Sequence, residues 1–126
     1  MTRLEFFEPP YGLRPERVFD LAPVEGVAGL FTLTAEARAE ARLFVLDVAV
    51  HLLSYRPSIP RLDLEGFGPD AGELGILVVV NPTGHETTVN LAAPILTSTT
   101  AGLARQVILE AGGWPLRMPL AELLAA

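Results

Sequence analysis

The sequence predicts an all-β or nearly all-β chain, folded as a small barrel-like sandwich of short antiparallel strands with one or two short helical turns. Three observations carry this. Eleven prolines and eleven glycines are scattered at short intervals through 126 residues, which favours many short strands and turns over long helices. Half the residues are hydrophobic and 19% are charged, so a core can be built and a disordered chain is excluded. Several segments alternate apolar and polar residues or run apolar with β-branched ends, the two patterns of strands. At this length we expect a single domain over residues 1–126, burying roughly two-thirds of its unfolded surface without staples.

Helical signal is thin. Thr34 could cap Ala35 to Arg42, which is rich in alanine, glutamate and arginine but has no apolar stripe. Leu120 to Ala126 could close the chain with a turn or two. Leu43 to Tyr55 reads as a strand, with Phe44, Leu46, Val48, Val50 and Leu52 on one face and Asp47, His51 and Tyr55 on the other. Its thirteen residues would span about 43 Å at roughly 3.3 Å each, so a bend or bulge is expected near Asp47 to His51.

Leu74 to Val80 is continuously apolar and predicts a central strand. Asn81-Pro82-Thr83-Gly84 supplies turn chemistry, and Thr87 to Ala93 returns as the second arm of a hairpin. Pro94 has no N–H to donate and is expected to end the ladder or mark an edge. Thr97 to Gly102 is a further turn before a strand at Leu103 to Leu109, where either Arg105 or Gln106 must share a face with apolar neighbours. About five to eight short strands result, in a barrel or two packed sheets.

Composition removes many functions. There is no cysteine, hence no disulfide scaffold, thiolate metal site or cysteine nucleophile. The only histidines are His51 and His85, and His85-Glu86 lacks the second histidine of a zinc-protease helix. Gly66-Phe67-Gly68 has no third glycine, and Ser54, Ser58 and Ser98 lack a nucleophile-elbow setting. The pairs Asp63/Glu65 and Asp70/Glu73 could in principle flank a cleft, but they lie in loop-like stretches where solvated acids are the plainer reading. We therefore expect no enzyme, no metal and no cofactor.

All nine cationic residues are arginine, against fifteen acids, for a formal charge of −6. That balance disfavours direct nucleic-acid binding and anionic lipid, and it suits a basic protein partner. No apolar run reaches the roughly 18 residues of a membrane span, and the acid-bearing start is unlike a secretory signal, so a cytoplasmic location is expected.

From Thr88 the chain carries three ordered blocks: Thr88-Val89-Asn90-Leu91-Ala92-Ala93-Pro94-Ile95, Arg105-Gln106-Val107-Ile108-Leu109, and Trp114-Pro115-Leu116-Arg117-Met118-Pro119-Leu120. Upstream stand Phe19 to Glu25, Leu43 to Asp47 and Tyr55-Arg56-Pro57-Ser58-Ile59-Pro60. Together these resemble the flagellar assembly factor FliW family over about residues 7 to 120. The departures are a shorter start, Gly12-Leu13-Arg14-Pro15 in place of the family's G-L-P-G-F turn, Val48 after Asp47 where proline is common, and Met118 in place of histidine. The shorter start would leave barrel closure open and an edge unpaired.

The resemblance implies a compact β-barrel-like regulator in bacterial flagellum biogenesis. It would bind CsrA, the carbon-storage regulator that represses flagellin translation, and also flagellin itself, switching between the two as a chaperone-like CsrA antagonist. We expect a monomer when free. Within the shared blocks, Asn90, Arg105, Trp114 and Arg117 are the candidate partner contacts. Each has a structural alternative: Asn90 bonding to a neighbouring strand or loop, Arg105 and Arg117 pairing with Glu110 or Glu122, and Trp114 packing in the core or at its rim. A second function class is a ligand-binding or enzymatic small β-barrel unrelated to flagella, whose mark would be a concave apolar pocket with a few convergent polar groups.

Overall fold

Leu4 and Phe6 alternate with Arg3 and Glu5, and this short alternation forms β1 (Thr2–Phe6), with both apolar side chains fully buried. The structure, a computed structural model, describes residues 2–52, 54–82 and 85–125. The following strands are β2 (Val18–Pro23), β3 (Leu30–Ala35), β4 (Arg42–Asp47), β5 (Gly75–Pro82), β6 (Thr87–Ser98), β7 (Leu103–Gln106) and the short β8 (Met118–Pro119). Short helices α1 (Val48–His51) and α2 (Arg61–Glu65) separate β4 from β5, and α3 (Leu120–Ala125) follows β8.

The sheet runs β5-β4-β3-β2-β1-β7-β6-β8, and a further β5–β6 pairing joins its two sides into a closed seven-stranded barrel. β8 adds to the outside of β6 through Val89↔Met118 and Thr88↔Pro119. Neighbours are antiparallel except β1 and β7, which pair in parallel at Glu5↔Leu103 and Phe6↔Ala104. That pair settles the closure left open by the sequence. β1 bonds to β2 on one side and β7 on the other, so the barrel has no gap at this strand.

Leu4, Phe6, Phe19, Leu33, Val45 and Ile95 fill the barrel interior, with Phe6 and Phe19 edge to face at 5.3 Å. β5 shows why its sequence is continuously apolar. Leu77 and Val79 point into the barrel, while Val78 and Val80 point outward into a second cluster with Val89, Leu91, Leu52 and Tyr55. A strand covered on both faces cannot alternate. Each such valine contributes roughly 1.5–3 kcal/mol by full burial. The outer cluster is roofed by the chain between β4 and β5 and by Trp114, Met118, Leu120 and Leu123.

Three expectations are corrected. Ala35 to Arg42 is not helical: it is the β3–β4 hairpin, paired at Thr34↔Arg42, with the Ala35 N–H donating to Ala41 O at 2.8 Å. Without an apolar stripe, helix propensity there loses to strand pairing. Leu43 to Tyr55 is not one strand. Asp47 ends β4, and its carboxylate accepts from Ala49 N at 3.0 Å as the N-cap of α1. His51 therefore lies on a helical turn rather than an outward strand face, and its Nε2 bonds Ala28 O at 2.5 Å.

Pro94, thirdly, sits inside β6 and is buried. Of the predicted turn, Asn81 and Pro82 extend β5, whereas Thr83 and Gly84 lie outside the described residues.

Candidate functional site

The motif blocks meet at one irregularity. Between the pairs Leu77↔Ile95 and Val79↔Asn90, residues 91–94 of β6 stand opposite Val78 alone. This is an enlarged β-bulge, and it removes a stretch of buried backbone from the β5 ladder. Buried N–H and C=O groups need partners, and here each has one. Asn90 Oδ1 accepts from Ala92 N at 3.0 Å and Ala93 N at 3.1 Å. Leu91 N donates to Pro115 O at 3.0 Å, and Leu91 O accepts from the Tyr55 hydroxyl at 2.6 Å.

The remaining carbonyls face the second block, Arg105 to Leu109. Ala92 O accepts from Leu109 N at 2.8 Å, Pro94 O from Val107 N at 2.9 Å, and Ala93 O from Gln106 Nε2 at 3.1 Å. Pro94 has no N–H to satisfy, which is why proline fits at this point of a strand. Burial also pushes the Tyr55 phenol well above its ordinary value, keeping it a donor.

Of the four candidate contacts, Asn90 spends its oxygen within this bulge. Trp114 is half-buried, edge to face on Tyr55 at 4.8 Å. Arg105 lies on β7 and shares a face with Leu103 and Val107, while Gln106 shares that of Ala104. Its guanidinium sits 4.4 Å from the Phe7 ring centroid and donates to Asp63 O at 2.9 Å, holding α2 rather than pairing with Glu110. Its Nε is buried without a partner among the described residues. Arg117 is exposed beside β8, and no ion pair joins it to Glu122 among the described residues. The structure thus brings Asn90 and Trp114 to the same bulge and leaves the two arginines outside it.

The edge beyond the bulge is a feature the sequence did not single out. Val107 and Leu109 turn their N–H groups inward to β6, so strand alternation points the N–H and C=O of Ile108 away from it. The Ile108 side chain is 55% exposed. It divides two grooves, one of about 360 Å³ against Pro10, Tyr11, Arg14 and Arg105, the other of about 430 Å³ against Arg56, Pro60, Glu110 and Trp114. Backbone that is unpaired among the described residues, flanked by an exposed apolar anchor and two grooves, can accept an extended segment of another chain.

At the end of the barrel lies a larger cleft of about 540 Å³, with Leu21, Phe31, Val48 and Leu77 in its walls and Asp47 and Glu73 on its rim. It has the apolar, concave form that a ligand site takes. Asp70 and Glu73 are both exposed, and no cluster of three or more His, Asp or Glu side chains could hold a metal among the described residues. Nor, among them, is any helix long and apolar enough to cross a membrane.

Fold and motif residues together define a small closed β-barrel organised around a braced bulge. The family model described as FliW protein matches residues 2–120, and the chain belongs to the FliW family. In fold it is similar to the crystal structure of the flagellar assembly factor FliW, with a TM-score of 0.83 at 20% identity, over 94% of this chain and 85% of that one. A search of curated proteins found no match. The family resemblance read from the motif blocks holds, and it extends to β1.

Proposed function

We propose that this chain is a cytoplasmic flagellar assembly factor that works without catalysis, binding CsrA and flagellin in turn and so relieving repression of flagellin translation. Membership of the FliW family over residues 2–120 is the observation that carries this reading. It favours this reading over a ligand-binding barrel unrelated to flagella, for which a cleft alone is weak support. The −6 charge supports it in a specific way: an acidic surface speeds encounter with a basic RNA-binding protein and narrows partner choice. The exposed edge at Ile108 offers a place for a partner chain without disturbing the bulge beneath it.

A feedback switch requires that one partner weaken the other, reciprocally, by about 1–3 kcal/mol for coupled sites or completely for a shared surface. The test is calorimetry of the purified chain with CsrA from the same cells, with and without saturating flagellin monomer. Binding that flagellin weakens supports the reading. No heat and no co-elution with either protein would reject it, and an unchanged constant with a ternary complex would make the chain an adaptor rather than a switch.

A further inference from the structure

Strand pairing runs out on one side of the sheet just after β7. β1 follows β7 only to Phe6↔Ala104, and the Phe7 N–H then donates to Ala104 O at 3.0 Å. Beyond that point Val107 and Leu109 bond inward to β6, while the N–H and C=O of Ile108 have no partner among the described residues. Strand alternation places the side chains of Gln106, Ile108 and Glu110 on one face. The two grooves that Ile108 divides lie along it, one lined by Gln106 and the other by Glu110.

The groove at Gln106 carries a charge opposite to that of the whole chain. It sets one acid, Glu8, against two cations, Arg14 and Arg105, in a protein of formal charge −6. Arg14 is exposed and makes no hydrogen bond or ion pair among the described residues. Arg105 is half-buried against neutral groups, the Phe7 ring and the carbonyls of Leu62 and Asp63. No carboxylate pairs with it among the described residues, and its Nε is the buried nitrogen left without a partner. A buried donor without a partner is unusual and favours an acceptor supplied from outside. Two cations without a counter-charge beside free backbone match one occupant: a carboxylate carried on an extended polypeptide. The backbone edge selects a polypeptide, because a nucleic acid cannot add to a β-ladder and is repelled by the acidic remainder of the surface.

We propose that this edge receives an extended partner segment bearing an acidic residue two positions from an apolar one. The inference rests on the reading in which the Ile108 edge takes a partner chain, and it adds the chemistry of that chain. The apolar residue would stand opposite Ile108 and exchange N–H···O=C bonds with it in an antiparallel pair. Residues two positions away share its face, so the acid would fall into the groove of Arg14 and Arg105, beside Tyr11, which is 82% exposed.

The test uses the full chain, ¹⁵N-labelled, titrated with the capped peptide Glu-Thr-Val-Thr-Glu and followed by amide shifts. Saturable shifts are expected at Tyr11, Gln106 and Ile108. The peptide Gln-Thr-Val-Thr-Gln is expected to bind about 2- to 5-fold more weakly, the range of an exposed ion pair. Arg14→Gln should weaken the glutamate peptide by the same factor and leave the glutamine peptide unchanged; Arg105 braces α2, so Arg14 carries the test. Methylating the valine nitrogen removes the donor aimed at Ile108 and should weaken binding about tenfold. The proposal is overturned by the absence of saturable shifts at low-millimolar peptide, by shifts that map elsewhere, or by equal binding of Lys-Thr-Val-Thr-Lys or of the methylated peptide. Ile108 shifts that follow protein concentration without peptide would overturn it in favour of a second copy of this chain. Failure of the peptide while CsrA and flagellin still bind strikes this inference alone; peptide binding when neither protein binds strikes the proposed function and leaves the groove chemistry standing.

Discussion

The hydroxyl of Tyr55 donates a 2.6 Å hydrogen bond to the carbonyl of Leu91. One end of this bond belongs to the segment that roofs β5 and β6, the other to the bulge where β6 leaves its ladder. Trp114 packs edge-on against the same ring, and Pro115 O takes the Leu91 N–H. Leu91 is thus held by two of the family's sequence blocks at once, which gives those blocks a structural role before any partner arrives.

Tyr55→Phe keeps the ring and removes the donor. It leaves the buried Leu91 carbonyl unsatisfied, so the unfolding free energy should drop by about 1–3 kcal/mol. Urea denaturation followed by the fluorescence of Trp114, the only tryptophan, measures it. A change within experimental error would mean the bulge is held without this bond.

The same phenol makes stability pH-dependent at the alkaline end. Burial raises its folded pKa, so above the unfolded value of about 10 the unfolded chain loses a proton that the folded chain keeps. The folded state then binds more protons, and stability should fall as pH rises beyond about 10. Tyr55→Phe, which retains the exposed Tyr11, should show a shallower decline. Parallel slopes in the two proteins would contradict the assignment.

Asn90 acts as an acceptor for two N–H groups. Asn90→Ala should therefore cost about 2 kcal/mol or more, whereas Asn90→Asp, which keeps both acceptor bonds at neutral pH, should retain most of the stability. Thermal melts of the pair decide it. Equal melting temperatures for the alanine and aspartate variants would remove the acceptor role.

Ile108→Asp changes an exposed side chain on an unpaired edge. Its melting temperature should stay close to the parent's, because little packing is lost, while binding of CsrA or flagellin should weaken about tenfold or more, as for a central interface anchor. Calorimetry with each partner reads the effect. Undiminished affinity for both would move the contact surface away from this edge.

Much of the architecture could be read from local pattern. The apolar run in β5, the return strand starting at Thr87 and the turn before Leu103 all follow from side-chain period and turn chemistry, because strands report their faces in their own residues. The three motif blocks were equally visible, and they led to the right family. Their physical meaning was not. Asn90 looks like any polar strand residue until residues 91–94 are seen to face Val78 alone, and nothing local says that Tyr55, Gln106 and Pro115 will complete the same bulge.

Local pattern decided the strand-forming segments, the acidic charge and the family blocks, since each is a property of neighbouring residues or of composition. Only tertiary structure decided the rest. Ala35 to Arg42 has helix propensity but became a hairpin because Leu33 and Leu43 pair across it. β4 stopped at Asp47 because its carboxylate capped a helical turn. The barrel closed because Phe6 met Ala104 from far along the chain. The barrel-end cleft assembled Thr97 with Asp47 and Glu73 from separate elements. Such contacts join residues distant in sequence, and their free energy depends on which surfaces meet, which short-range periodicity does not encode.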